Sequence, residues 1–153
     1  MSSIEKKAQA MGLAIPEAPK PVAAYAPGVK SGDMIYTSGQ LPIVNGELKY
    51  KGKVGAEVSE EAGYEAAQAC ALNCLGVVKG LIGDLDLIEQ IVKVTGYVNS
   101  ADGFTMQPKV INGASELLQE LLGAKGIHAR CALGVNELPL NAACEVEMIV
   151  RVK

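Results

Sequence analysis

Two segments near the end of the chain, HARCALGVNELP and AACEVEMIVRV, hold the residues that are best suited to chemistry. The first contains His128, Arg130 and Cys131, and the second contains Glu145 and Glu147. A guanidinium group binds a carboxylate through two parallel hydrogen bonds, and a nearby carboxylate side chain can orient or deprotonate a water molecule. The two segments therefore indicate either a site for a small carboxylic acid or a solvent-exposed face of two strands.

Motifs for phosphate, dinucleotide and acyl-transfer chemistry do not occur in the sequence, which has no G-x-x-x-x-G-K-[ST], G-x-G-x-x-G or G-x-S-x-G pattern. The only histidine, His128, precedes a strand and is predicted to be a solvated loop residue. Cys70 and Cys74 are one helical turn apart, and a zinc site would need two further, distant ligands. We interpret them as small buried residues in a reducing cytosol and expect no metal or other cofactor.

The length and net charge of the chain limit the classes of molecule that it is expected to bind. The chain has 153 residues and a net charge of −3, which fits one globular domain. A protein that binds nucleic acid normally has a basic face, and no long cluster of Lys and Arg is present, so DNA or RNA is not expected as the main partner. The sequence has no apolar run of transmembrane length and no secretory signal, so a cytoplasmic protein without a membrane partner is expected.

The elements that must position these residues follow from periodicity and turn residues. Residues 2–13 predict an amphipathic helix and 16–21 a proline-rich connector, so 1–19 is expected to be an appendage to a single domain over 20–153. The predicted strands are 22–26, 33–39, 46–55, one within 88–100, 130–136 and 143–152.

Two helices lie between these strands. Ser59 is a predicted N-cap, and apolar residues at steps of three and four continue to about Ile82, followed by Gly83 as the predicted end. A second helix is predicted over 107–123, with Pro108 in its first turn.

Alternation along the two closing strands predicts which face each side chain occupies. Cys131, Leu133 and Val135 are expected to face the core, whereas Arg130 and Ala132 are expected on the opposite face. The same alternation places Glu145 and Glu147 on that opposite face, with Glu147 pairing with Arg151 or Lys93. The two strands are expected to form a hairpin near Pro139.

The element order ββ(β)αβαββ indicates an α+β fold with two helices packed on one face of a mixed sheet. Two helices cannot cover both faces of a sheet of five or six strands. The second face must therefore be exposed to water or contact another subunit, and closed symmetric assembly is the usual outcome.

Three segments resemble the RidA family, also called the YjgF or L-PSP family. DMIYTSGQLP at 33–42 is similar to the strand and turn that end in SGQ-P, and HARCALGVNELPLNAACEVEMIVRV at 128–152 is similar to the closing signature of an Arg-led strand, LP and E-E. KPVAAYAPGV at 20–29 aligns with the region of a family tyrosine. The resemblance spans residues 20–153, and the N-terminal helix is typical of a longer subgroup of about 150 residues.

The resemblance implies a chorismate-mutase-like fold assembled as a homotrimer, with ligand clefts between subunits. It implies hydrolysis of 2-imino or enamine acids, such as 2-aminoacrylate, to 2-keto acids and ammonia. By motif position, Arg130 would clamp the substrate carboxylate and Glu145 would hold the attacking water. The implied substrate-binding residues are Tyr25 from the neighbouring chain, Ser38, Gly39, Gln40, Asn112 and the backbone of Ala132.

Three questions stay open from the sequence. A symmetric hairpin would separate Arg130 from Glu145 by roughly 10 Å, so the two residues meet either through an asymmetric connection or across subunits. The chain could instead be a non-catalytic trimer that binds small carboxylates as a regulator. An endoribonuclease or translation inhibitor is the third alternative, which the acidic charge disfavours.

Overall fold

The computed structural model describes residues 1–21 and 24–153. The helices in these ranges are α1 (Ser3–Ala10), α2 (Glu60–Ile82) and α3 (Gln107–Leu122). The strands are β1 (Gly28–Ser31), β2 (Met34–Thr37), β3 (Ile43–Val44), β4 (Glu47–Leu48), β5 (Ile88–Asn99), β6 (Ala129–Val135) and β7 (Cys144–Val152).

Five strands form one mixed sheet in the order β1-β2-β7-β5-β6. Neighbouring strands are antiparallel except β5 and β6, which are parallel. Helices α2 and α3 pack together on one face of this sheet, as the α+β prediction requires. The expected hairpin between the closing strands is wrong, because β5 lies between β6 and β7 and leaves β6 at an edge.

The predicted central helix is confirmed at both ends. The Ser59 side chain accepts a hydrogen bond from the Ala62 N–H, and Gly83 ends the helix at a positive φ of 79°, which favours glycine. Cys70 and Cys74 are fully buried between α2 and the sheet, and Cys144 of β7 is buried beside them. The interpretation of Cys70 and Cys74 as buried residues is therefore confirmed.

The first hairpin begins later than the sequence predicted. Strand β1 lies between the predicted strands 22–26 and 33–39, and the chain reverses through Gly32 at a φ of 62°. Of the predicted strand 22–26, residues 24–26 form no strand, and residues 22 and 23 lie outside the described ranges. The polar residues of β1 misled the prediction because this edge strand exposes the side chains of Val29, Lys30 and Ser31.

The predicted third strand is shorter than expected and belongs to a small separate sheet. Strands β3 and β4 form a two-residue hairpin through Asn45 and Gly46, which have positive φ values of 52° and 80°. After it, the chain makes isolated bridges, which join Lys51 to Ala142 and Val54 to Val58 and Ser100.

The N-terminal helix packs on the rest of the chain. Ser2 and Glu5 form a capping box, and Ile4 and Ala8 are buried in the core cluster. Lys79 of α2 lies 2.8 Å from the Glu5 carboxylate, and this ion pair lowers the pKa of Glu5 to about 2. The division at residue 19 stays a prediction. No helix in the described part of the chain is both long enough and apolar enough to cross a membrane.

The predicted faces of β6 are reversed. Cys131 is exposed and Leu133 is 46% exposed, on the face of the sheet that no helix covers. Arg130 pairs with the buried Val94 of β5, and its side chain reaches α3 on the helix-covered face. The prediction assumed that apolar side chains face the core of the same chain, whereas the uncovered face of this sheet is itself partly apolar.

Candidate active site

Arg130 is held against α3 by two neutral oxygen atoms. Its Nη1 donates to Asn112 Oδ1 at 2.7 Å and to Ser115 Oγ at 3.2 Å. Asn112 and Ser115 are three residues apart on α3 and therefore present their side chains on the same face of the helix. The structure brings the predicted residues Arg130 and Asn112 together and adds Ser115 to them.

The positive charge of Arg130 is available to an anion. None of the ion pairs within residues 1–21 and 24–153 includes Arg130. A cavity of about 270 Å³ adjoins the guanidinium and is lined by Ser115, Gln119, Gly126, Ile127, His128 and Arg130. A partly buried guanidinium with only neutral partners is suited to binding a carboxylate, for which it offers further N–H donors.

A backbone donor lies on the same strand. The Val135 carbonyl accepts from the Ser100 N–H, so this residue directs its backbone polar groups toward β5. Because backbone groups alternate along a parallel strand, Ala132 directs its N–H away from β5, toward the free edge of the sheet. Its small side chain packs against the core. Arg130 and the Ala132 N–H thus offer charge and a hydrogen bond from one edge strand.

Glu145 lies on the other face of the sheet, beside the SGQ turn. The backbone of Gln40 pairs with that of Val146, with N–H···O distances of 2.8 and 3.0 Å. A Cβ atom at Gly39 would lie 2.4 Å from Glu145 Oε1, so only glycine permits the observed approach of the turn to this carboxylate. The structure therefore brings Glu145, Gly39 and Gln40 together as a second group.

The segment that contains Tyr25 is joined to this second group through Ser38. The Ser38 hydroxyl donates to the Ala26 carbonyl at 2.7 Å, and the Ser38 N–H donates to the Pro27 carbonyl at 2.7 Å. Tyr25 itself is 66% exposed. Its side chain therefore contributes little to the core of its own chain.

Two carboxylates share the uncovered face. Burial raises the pKa of Glu145, and the neighbouring Glu147 charge raises it further. Glu147 accepts a hydrogen bond from the Tyr97 hydroxyl at 2.9 Å, and burial together with this bond raises the pKa of Tyr97 to about 12. The expected pairing of Glu147 with Arg151 or Lys93 is wrong. Arg151 binds Glu89 at 3.3 Å, and Lys93 is in none of the ion pairs of the described residues.

The predicted site residues thus fall into two groups on opposite faces of one sheet. The arginine side comprises Arg130, Asn112, Ser115 and the Ala132 N–H. The glutamate side comprises Glu145 and the Ser38–Gln40 turn. Glu145 pairs with Tyr97, which pairs in turn with Leu133 of β6 on the uncovered face. Within one chain Arg130 and Glu145 cannot approach the same small molecule.

Sequence reasoning missed Ser115 and misjudged His128. His128 precedes β6 as predicted, but it is half-buried, and its Nε2 lies 2.9 Å from Ser115 Oγ. Burial lowers the pKa of His128, and the Arg130 charge lowers it further. The signal that could have found Ser115 was its spacing of three residues from Asn112 on a helix that ends before the Arg-led strand.

Comparison with known proteins agrees with this fold. Residues 5–152 match the family model described as "YjgF/chorismate_mutase-like, putative endoribonuclease". The chain is 41% identical to Protein TCP17 of Trypanosoma cruzi, with 93% of this chain and 89% of that protein covered. It is 28% identical to the 2-iminobutanoate/2-iminopropanoate deaminase of Dermatophagoides farinae, over 90% of this chain and 93% of that protein.

A solved structure gives the same result. The crystal structure of the protein Atu1372, of unknown function, from Agrobacterium tumefaciens superposes with a TM-score of 0.93 at 41% identity. The superposition covers 99% of this chain and 93% of that one. Since the family match spans almost the whole chain and the fold has the expected chorismate-mutase-like form, the chain belongs to the YjgF family, the RidA-like family that its closing motif resembles.

Proposed function

We propose that this protein hydrolyses 2-imino acids and their enamine tautomers to 2-keto acids and ammonia in the cytoplasm. The observation that carries the proposal is the Arg130 guanidinium, which is oriented by Asn112 and Ser115 and has no carboxylate partner among the described residues. A 2-imino acid carries the anion that such a group binds. The deaminase of Dermatophagoides farinae supports the same reaction class.

The two sides of the site supply different parts of the reaction. Arg130 and the Ala132 N–H bind the substrate carboxylate, and an enamine first becomes the imine by taking a proton at C3 and losing one from its nitrogen, as the double bond moves from C2–C3 to C2–N. Glu145 accepts a proton from water as the water oxygen forms a bond to C2. The C=N electron pair moves to the nitrogen, which takes this proton from Glu145 to give a carbinolamine. The hydroxyl proton of the carbinolamine then also passes to the nitrogen, the C–N bond breaks as the C=O bond forms, and ammonia and the 2-keto acid leave. Tyr25 and the Ser38–Gln40 turn close the cleft.

The complete site requires a second copy of the chain, and we propose a homotrimer in which the arginine side of one subunit meets the glutamate side of the next. The uncovered face of the sheet supports assembly, because it exposes large apolar side chains. Val29 is 55% exposed, and Tyr36 and Leu133 are each 46% exposed. Apolar side chains on a face without covering helices are typical of subunit contacts.

An imine-hydrolysis assay tests the proposal. An amino-acid oxidase generates the 2-imino acid, and semicarbazide traps the imine that remains, so an active deaminase lowers the yield of trapped product. We expect Arg130→Lys to reduce kcat/KM about 10- to 100-fold, because lysine keeps the charge but loses the planar fork. Arg151→Lys is the matched control, since Arg151 makes an exposed ion pair with Glu89.

The outcomes separate the alternatives. A wild-type protein that binds 2-oxobutanoate without accelerating imine loss would be a carboxylate-binding regulator. The family description favours an endoribonuclease as the second candidate. Salt-sensitive RNA cleavage that survives Arg130→Lys, with no effect on imines, would replace the deaminase proposal by that candidate.

A further inference from the structure

A hydrogen-bonded chain runs from a backbone carbonyl to the arginine side. His128 Nδ1 lies 2.6 Å from the Gly126 carbonyl oxygen, and His128 Nε2 lies 2.9 Å from Ser115 Oγ. Ser115 Oγ in turn accepts from Arg130 Nη1. The chain therefore joins four groups that come from the turn before β6, from β6 itself and from α3.

The groups at the two ends of this hydrogen-bonded chain determine which atom carries each proton between them. A carbonyl oxygen only accepts, so His128 Nδ1 carries a proton and donates to Gly126. The Arg130 guanidinium only donates, so Ser115 Oγ accepts from it. In neutral His128 the Nε2 atom is then an acceptor, and the Ser115 hydroxyl proton points to it. A lone pair of Ser115 consequently faces Arg130.

We infer that His128 is a positioning residue, which in its neutral Nδ1–H form orients the Ser115 hydroxyl so that Ser115 holds Arg130 for carboxylate binding. The inference rests on the proposed function for the identity of the ligand, but the hydrogen-bonded chain exists without a ligand. His128 does not touch the substrate and acts only through Ser115 and Arg130.

Protonation of His128 reverses this arrangement. Nε2–H becomes a donor, and Ser115 must then accept from the imidazolium and from Arg130 at once. The residues around His128 in its cavity are Ser115 and Gln119 of α3, Gly126 and Ile127 of the preceding turn, and Arg130 of β6. Arg130 is the one charged group among these described residues. Burial and the Arg130 charge lower the pKa of His128, against the hydrogen bond to Gly126, which raises it.

Variants of His128 test the role through substrate binding. We expect His128→Leu, which removes the acceptor, to raise KM for the imino acid and Kd for 2-oxobutanoate about 5- to 10-fold, with kcat changed less than about 2-fold. His128→Gln retains an acceptor at the reach of Nε2 and should keep both values within about 2-fold of wild type. An unchanged KM in His128→Leu would overturn the inference.

The pH dependence of binding gives a second readout. In wild type, Kd should rise as the pH falls and His128 becomes protonated, because protonated His128 donates to Ser115 and no longer accepts its hydroxyl proton. The dependence should flatten in His128→Gln, which retains Glu145, so a contribution from that carboxylate stays in both proteins. Tighter binding by wild type on acidification would mean that His128 acts as a second cation, and would contradict the proposed role.

Two measurements on the ligand-free protein separate this inference from the proposed function. His128 is the only histidine, so the nitrogen NMR spectrum of the imidazole reports one tautomer, which we expect to be Nδ1–H. Exchange of the Arg130 Nη hydrogens with solvent should be slower in wild type and His128→Gln than in His128→Leu. An Nε2–H tautomer or equal exchange rates would overturn the inference even if imine hydrolysis is found. If the tautomer and the exchange rates are as expected but the protein does not bind 2-oxobutanoate, the proposed function is rejected and the role of His128 in positioning Arg130 stands.

Discussion

The arginine side and the glutamate side differ in how their charges are stabilised. Arg130 is a single cation fixed by uncharged groups of the same chain, whereas Glu145 and Glu147 are two neighbouring anions, and burial and repulsion raise the pKa of Glu145. Each side is therefore complementary in charge to the other, but the sheet separates them. A cation and a carboxylate that cannot meet within one chain can do so across a symmetric interface.

Mixing two inactive variants is the most direct test of whether the arginine side and the glutamate side of different subunits form one site. We expect Arg130→Ala and Glu145→Gln each to lose 100-fold or more of the imine-hydrolysis rate, as an estimate of about 3 kcal/mol for a charge-assisted contact implies. Co-refolded in equal amounts, the two variants should recover about a quarter of wild-type activity, since one site in four combines an intact arginine side with an intact glutamate side.

As the control, the two variants are refolded separately and then mixed. This mixture should remain inactive as long as the assembled proteins do not exchange subunits. Recovery by simple mixing of pre-assembled proteins would also be expected if subunits exchange during the assay, so light scattering or native mass spectrometry is used to follow exchange. No recovery in true hetero-oligomers would show that the two sides do not share a site.

Separating the subunits would remove activity without unfolding the chain. Leu133 is 46% exposed on the uncovered face and contributes little to the core of its own chain. We expect Leu133→Asp to convert an assembly into monomers and to abolish turnover, because a buried carboxylate is costly at an apolar contact. Sedimentation measures the assembly, and circular dichroism measures the fold. Asn136→Asp, which adds the same charge at an exposed position, should change neither.

The uncovered face also explains what the sequence could predict. The ends of α2 followed from local signals at Ser59 and Gly83, which depend on the helix alone. The faces of β6 did not, because alternation assigns the apolar Leu133 to a core, whereas Leu133 lies on the face of the sheet that α2 and α3 leave uncovered. The parallel neighbour of β6 was equally inaccessible, since β5 is distant in sequence and separates the two closing strands.

The motif residues were found because their spacing is local, but their grouping depended on the fold. The closing motif identified Arg130 and Glu145 fifteen positions apart, yet they lie on opposite faces. Asn112 and Ser115 joined Arg130 only through the packing of α3 beside β6. The identities of these residues could thus be predicted from the sequence. Their division between the arginine side and the glutamate side became known only from the order of strands in the sheet.

Gly39→Ala should weaken the glutamate side alone. The new Cβ would meet the end of the flexible Glu145 side chain, and Gly39 lacks the positive φ that would strain an alanine. We therefore expect a displaced carboxylate, a kcat about 10-fold lower, and a nearly unchanged Tm and affinity for 2-oxobutanoate. In a Glu145→Gln background, Gly39→Ala should lower kcat little further. Additive losses of kcat would show that Gly39 acts through the backbone rather than through Glu145.

The smallest effect is expected from Glu147→Gln, which removes one of the two anions. A raised pKa means that folded Glu145 binds its proton more tightly than the unfolded chain does, so this group contributes less stability as the pH rises through the interval between the two pKa values. Without the Glu147 charge, the pKa of Glu145 should fall. The acidic limb of the pH–rate profile, over which the rate falls as Glu145 becomes protonated, should move to lower pH. The rate at neutral pH should stay within about 2-fold of the wild-type rate. Glu61→Gln, on the exposed surface of α2, should leave the limb in place, and a limb that moves equally in both variants would show that net charge rather than this pair sets it.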